Sequence, residues 1–181
     1  MLSIPVVETE RLILRAFRRE DFETFAAIWQ EPEVMRFIGK KPRSVSESWG
    51  VFLKMAGNWV HEGFGQWAIE RKADGVLIGQ TGFFTAMRGL GEDFDCSPEA
   101  GWVLTTAAHG QGFGPEAVAA AHGWFDRQPF AGRTCAMIEA GHGASFRIAE
   151  RMGYRPFRQT EDLGDHVTLL ERSPPPGTPS G

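Results

Sequence analysis

Three alternating glycines join an apolar segment to an alanine-rich one within residues 99–127, and this junction constrains the fold more than any other stretch. Glu99 to Thr105 (EAGWVLT) reads as a strand and His109 to Gly114 (HGQGFG) as a break. The residues that follow, to about Arg127 and ending before Pro129, read as a long helix. Glycines at such a turn let the backbone approach a ligand closely. The free N–H groups of the first helical turn, backed by the helix dipole, form a site for phosphate or pyrophosphate. Pro115 suits that turn because no N–H partner is lost there. Without a ligand, the same pattern is a flexible loop with a tight turn. The run lacks the Lys-Ser/Thr of a P-loop and the spacing of a dinucleotide fingerprint, which argues against nucleoside triphosphates and NAD.

The rest of the chain alternates strands and helices. Glu10 to Phe17 predicts a first strand by its two-residue alternation, and Arg19 to Gln30 a helix closed by Pro32. Val34 to Arg43 reads as a loop or short helix. A second helix, capped by Ser44 or Ser46, runs to about His61, with Gly63 beyond its end. Gly65 to Arg71 and Val76 to Phe84 form a hairpin across Ala73-Asp74-Gly75. Met87 to Pro98 is an acidic loop. Thr134 to Glu139 is a strand, Ala144 to Met152 a helix stopped by Gly153, and Tyr154 to Gln159 and His166 to Glu171 the last two strands.

Composition narrows the function classes. A chain of 181 residues suits one domain, here 1–172, and the Pro-rich tail 173–181 is expected to be disordered. A net charge of -4 supplies no basic field for nucleic acid. Two separated cysteines, Cys96 and Cys135, suggest neither a disulfide framework nor a zinc set, and His61, His122 and His166 lack ligand spacing. With no apolar run of membrane-spanning length and no signal-peptide pattern, the expected place is the cytoplasm.

Glu99 to Leu104 followed by HGQGFGPEA resembles the acetyl-CoA-binding motif of the GNAT acetyltransferase superfamily, and most of all its RimJ/RimL-like branch. ETERLILR (residues 8–15), EPEVMRFI (31–38) and ASFRIAERMGY (144–154) resemble other parts of that branch in matching order. The resemblance spans roughly residues 8 to 171. It implies an α/β (α+β) fold with a mixed, strongly twisted sheet of about seven strands and about four helices. Strands 99–105 and 134–139 would splay to admit coenzyme A. Backbone groups of Val103 and Thr105 would then pair with pantetheine, the loop of Gly110, Gln111, Gly112, Phe113, Gly114 and Pro115 would hold the pyrophosphate, and an N–H near Val103 or Leu104 would stabilise the thioester oxyanion. His142 stands where the branch has Asn, and would either bond the pantetheine amide or cap its helix.

The implied activity is transfer of acetyl from acetyl-CoA to a primary amine of a small molecule or a protein N-terminus, by direct attack in a ternary complex. Such a reaction needs a proton acceptor for the amine and an acid for the departing thiolate. Many relatives use a tyrosine as that acid, but Ala149 occupies the aligned position and the lone Tyr154 matches a structural aromatic. Ser145 is the candidate acid, or else a helix-start hydroxyl or coenzyme contact. Glu99 is the first candidate base, or else a strand-edge carboxylate, and solvent-linked water could replace a dedicated base for an amine of pKa about 8 to 10. Glu92, Asp93 and Asp95 either attract a cationic amine or form a solvated face. Trp49, Trp59, Trp67 and Trp124 read as core, and Trp29 and Phe37 as candidates for an acceptor-pocket wall. No metal is expected, and a homodimer is left open. The rival from another class is an acyl-CoA-binding module of the same fold without catalysis.

Overall fold

The computed structural model describes residues 4–174, so residues 175–181 of the Pro-rich tail lie outside the described part. A short β1 (Val7–Glu8) pairs with β2 (Leu12–Arg15), and α1 (Phe22–Ile28) follows a single 3₁₀ turn. Then come α2 (Pro32–Met35), α3 (Val45–Glu62), β3 (Gln66–Arg71), β4 (Val76–Phe84), α4 (Glu92–Asp95) and β5 (Glu99–Leu104). After a second 3₁₀ turn, α5 (Phe113–Phe125), β6 (Thr134–Glu139), α6 (Gly143–Arg151), β7 (Arg155–Asp162) and β8 (Asp165–Arg172) complete the chain. The sheet has eight strands where about seven were expected, in the order β1-β2-β3-β4-β5-β6-β8-β7. Every neighbouring pair is antiparallel except β5 and β6.

Alternation along the strands splits the core between the two faces. Trp67 and Ile69 of β3 pack with Ala117, Ala121 and Phe125 of α5, whereas Ala68 packs with Phe25 of α1 and Phe52 and Met55 of α3. Trp59, Trp67 and Trp124 meet edge to face with centroids 4.8 to 5.6 Å apart, as core rather than as a binding box. Of the two candidate caps, Ser44 starts α3: its Oγ accepts from Glu47 N at 3.2 Å while Glu47 Oε2 accepts from Ser44 N at 2.7 Å. Gly63, at φ 74°, ends that helix.

Several boundaries differ from expectation for physical reasons. Pro32 opens α2 at its first position, where its missing N–H costs nothing. The acidic loop contains a single helical turn, α4, because Phe94 inserts into a small core with Cys135, Val167 and Leu169. The last hairpin is longer than its composition suggests: Leu163 and Gly164 both take positive φ (50° and 87°), a tight turn that a leucine does not advertise. Among the described residues no helix is long and apolar enough to cross a membrane.

Candidate active site

The parallel pair β5 and β6 meets at a single register position, Glu99 opposite Cys135, with Cys135 N donating to Pro98 O at 2.9 Å. Beyond that point the strands part. Thr105 N donates to Ile78 O at 2.9 Å, and antiparallel alternation from this bond commits the Val103 backbone to Gln80 of β4. The backbone groups of β5 that face the gap are therefore those of Trp102 and Leu104. This corrects the expected pairing through Val103 and Thr105, and leaves the Leu104 N–H rather than that of Val103 on the gap side. On β6, Ala140 N bonds His166 O on the β8 side, so Met137 and Glu139 face the gap by the same alternation.

The gap opens into a cleft of about 450 Å³ bordered by β5, α2, the glycine loop and α6. Eight expected site residues line it: Val103, Leu104, Gly110, Gly112, Gly114, Pro115, His142 and Ser145. A larger depression of about 530 Å³ lies over β7 and β8 and contains none of them.

The glycine loop forms the tight turn that its sequence predicts, by particular means. Gly110 and Gly112 take positive φ (73° and 80°), and Gly112 is the N-cap of α5. Gly114 lets α5 lie close to α6, since a Cβ there would sit 3.2 Å from Ile148 Cδ1, a tight contact. Among the described residues, none of the backbone N–H groups from Gly110 to Gly114 donates to another backbone group. The first such bond into the turn is Glu116 N to Gly112 O at 3.3 Å. Pro115 brings no N–H and serves as wall.

Gln111 and Phe113 hold the loop rather than line the cleft. Gln111 Nε2 donates to Ala107 O at 2.7 Å, and Phe113 is buried beneath Arg11, whose Cζ lies 4.6 Å from its ring centroid. Arg11 also donates from Nη1 to Gln111 O (2.9 Å) and from Nε to Glu116 Oε2 (2.7 Å). Glu31 fixes the other end: its oxygens accept from Thr105 Oγ1 at 2.6 Å and Thr106 N at 2.7 Å. Burial works to raise the Glu31 carboxyl, but these donors hold it below its ordinary value. Thr105 is thus a support of the turn, outside the cleft lining. Sequence reasoning gave Arg11 and Glu31 no role, since their partners lie about a hundred and about seventy-five positions away. Arg147 and Arg151 of α6 also border the cleft, and their four-residue spacing with Ser145 nearby could have signalled a cationic helix face.

The family description "Acetyltransferase (GNAT) domain" matches residues 11–155. The chain belongs to the GNAT acetyltransferases. The acetyltransferase is 28% identical to a solved Bordetella pertussis protein assigned to the same family, with a TM-score of 0.84 over 93% of this chain and 99% of that one. It is 27% identical to the Bacillus subtilis protein YkkB over 91% of this chain and 93% of that one. It shares its fold with a RimL ribosomal L7/L12 alpha-N-protein acetyltransferase solved with coenzyme A, at 15% identity and a TM-score of 0.72, covering 93% and 98% of the two chains.

The candidate catalytic groups of this GNAT enzyme sit in different surroundings. Ser145 is 8% exposed, borders the cleft and accepts a hydrogen bond from Trp102 Nε1 at 3.2 Å. Glu99, by contrast, is 5% exposed and does not border the cleft. Its carboxylate is taken up by Arg88, a departure from the expected open base. Burial pushes this carboxyl above its ordinary value, against the pull of Arg88. The neighbouring acids are engaged too. Asp93 pairs with Arg158 at 2.8 Å, and Asp95 accepts from Arg88 N and Gly91 N, while the exposed Glu92 side chain has no hydrogen bond among the described residues.

His142 starts α6 without a side-chain cap bond and stacks on Phe37 at 4.3 Å, so capping is the alternative that fails. Burial lowers its pKa, which favours the neutral ring. His109 is exposed and also borders the cleft. Its Nε2 lies 3.0 Å from Leu104 O, and since a carbonyl only accepts, that nitrogen carries the proton. Trp29 is held between Arg43, 3.6 Å over its ring, and Gln80, and does not border the cleft. Tyr154 is buried in the core, where Thr134 and His122 bond its hydroxyl at 2.8 and 3.0 Å. Among the described residues no group of three or more His, Cys, Asp or Glu side chains is placed to hold a metal.

Proposed function

We propose that this acetyltransferase uses acetyl-CoA to acetylate a primary amine, on a small molecule or a protein N-terminus, by direct attack in a ternary complex of the RimJ/RimL-like kind. Residues 1–172 would act as one domain in the cytoplasm. The observation that carries the reading is the parting of β5 from β6 after one register position, leading directly to the unbonded amides at the start of α5. The gap-side edge of β5, where the Leu104 carbonyl also accepts from His109, the backbone N–H groups of the glycine loop and two arginines at 147 and 151 fit pantetheine, pyrophosphate and a further phosphate respectively.

When bound, acetyl-CoA supplies the activated thioester. The chain's own residues do the rest. Leu104 and Trp102 offer strand-edge backbone groups, and the amides from Gly110 to Gly114 meet negative charge at the positive end of α5. Ser145 Oγ stands ready to give a proton. Glu99 is held by Arg88, so the amine proton leaves through solvent water rather than to that carboxylate.

Calorimetric titration of acetyl-CoA into the wild type and Gly112→Val tests the reading. The variant adds a side chain at a φ of 80°, in the loop that would hold the pyrophosphate. Saturable binding by the wild type and its loss in a folded variant are expected. Equal affinity in both would overturn the assignment of the loop.

A further inference from the structure

Trp102 and Ser145 form the one direct side-chain hydrogen bond described between β5 and α6, and both border the cleft. An indole N–H donates and cannot accept. Ser145 Oγ must therefore accept at this contact, and its own proton must point elsewhere. A serine in a first helical turn often returns its proton to a carbonyl three or four residues back. Here the Gly141 carbonyl accepts from Gly143 N and the His142 carbonyl from Phe146 N, and among the described residues no bond runs from Ser145 Oγ to either. Trp102 so reserves the serine for donation. We propose that Trp102 is a positioning residue, whose indole N–H fixes the Ser145 hydroxyl as a proton donor into the cleft.

The inference rests on the acetyl-transfer reading. In that reaction the amine nitrogen forms a bond to the acetyl carbon as the carbon–sulfur bond breaks. Ser145 passes its proton to the leaving sulfur and regains one through water from the amine nitrogen, so no net charge or proton remains on the protein. Trp102 adds no proton of its own. It holds the oxygen in place and aims the hydroxyl. Because β5 carries Trp102 and its neighbours toward the gap, the strand that offers backbone groups to the coenzyme also sets the angle of the donor on α6.

The test compares wild type, Trp102→Phe, Ser145→Ala and the double variant, reading release of free thiol from acetyl-CoA with an amine acceptor and, separately, the slow hydrolysis of acetyl-CoA without one. Trp102→Phe keeps an aromatic ring and deletes the N–H. Its kcat should fall about tenfold in both reactions while KM for acetyl-CoA and the melting temperature stay near wild type. In the Ser145→Ala background the same change should add less than about twofold, because the two act as one unit. A purely structural tryptophan would instead raise KM, lower the melting temperature or multiply independently with Ser145→Ala, and any of these overturns the inference. So does hydrolysis equal in wild type and Trp102→Phe. Loss of amine-dependent release alone, with the sensitivity of hydrolysis to Trp102→Phe intact, contradicts the amine-transfer reading while keeping the role of Trp102.

Discussion

Arg88 grips Glu99 through two parallel hydrogen bonds, Nε to Oε2 at 2.7 Å and Nη2 to Oε1 at 2.8 Å, at the closed end of the gap between β5 and β6. The Glu99 side chain is 6% exposed and that of Arg88 25%, with Asp162 at 3.4 Å as a weaker second partner. Breaking a buried pair by removing one member strands the other. Glu99→Gln should therefore cost about 2 kcal/mol of stability, measured by urea unfolding, with the loss in turnover tracking the loss of folded protein. Unchanged stability with a large selective fall in kcat would place Glu99 in the chemistry instead.

Arg11 should matter to coenzyme affinity without touching the cleft. It ties β2 to Gln111 and Glu116, and packs over Phe113. Arg11→Ala frees the glycine loop, and calorimetry should show acetyl-CoA affinity down by about five- to tenfold. The accompanying stability loss should stay within about 1 kcal/mol, because the side chain is largely exposed. Affinity equal to wild type would mean that the loop holds its shape unaided.

Arg147 and Arg151 give a salt-dependent prediction. Removing either should weaken acetyl-CoA binding and flatten its dependence on ionic strength, since charge attraction at an exposed helix face is screened. Titrations at low and high salt check this. A variant with the same salt dependence as wild type would remove that arginine from phosphate recognition.

The buried His122 predicts a pH dependence of stability. Its Nδ1 bonds the Val118 carbonyl at 2.8 Å and so carries the proton, which leaves Nε2 to accept from the Tyr154 hydroxyl at 3.0 Å. Thr134 then donates to Tyr154, the Phe83 ring packs edge-on, and Arg172 and Asp126 are the nearby charges. Burial lowers the His122 pKa from 6.5 to about 4. Because the folded value lies below the unfolded one, this group's stabilisation is complete above pH 6.5 and is lost as pH falls from there toward 4. Between pH 6.5 and 5 the wild type should lose about 2 kcal/mol more than His122→Gln, measured by urea unfolding. Parallel pH profiles for the two proteins would contradict it.

How much could be read from the sequence depended on whether a residue's role was local. Gly110 and Gly112, the Ser44 cap and the Asp74-Gly75 turn act on their own backbone, so their roles are visible in the chain order, whereas Gly114 answers to Ile148 of α6. Glu31, Arg11 and Arg88 act on partners that only the fold brings near, and Glu99 looked open because Arg88 carries no local sign of facing it. The backbone parity of β5 was likewise beyond sequence. Whether Leu104 or Val103 faces the gap is set by the Thr105–Ile78 bond to β4, and a shift of one residue would reverse it. Tyr154 is the converse case: its match to a structural aromatic of the resembling family already marked it as structural, and its bonds to Thr134 and His122 supply the reason.

If the cleft beside β5 carries out acetyl transfer, free thiol must be released from acetyl-CoA when a panel of primary amines and peptide N-termini is offered. Saturable, amine-dependent release is expected with at least one acceptor, and its loss in Gly112→Val. Tight acetyl-CoA binding by the wild type with no amine-dependent release from any acceptor would contradict it and leave a coenzyme-binding module in its place.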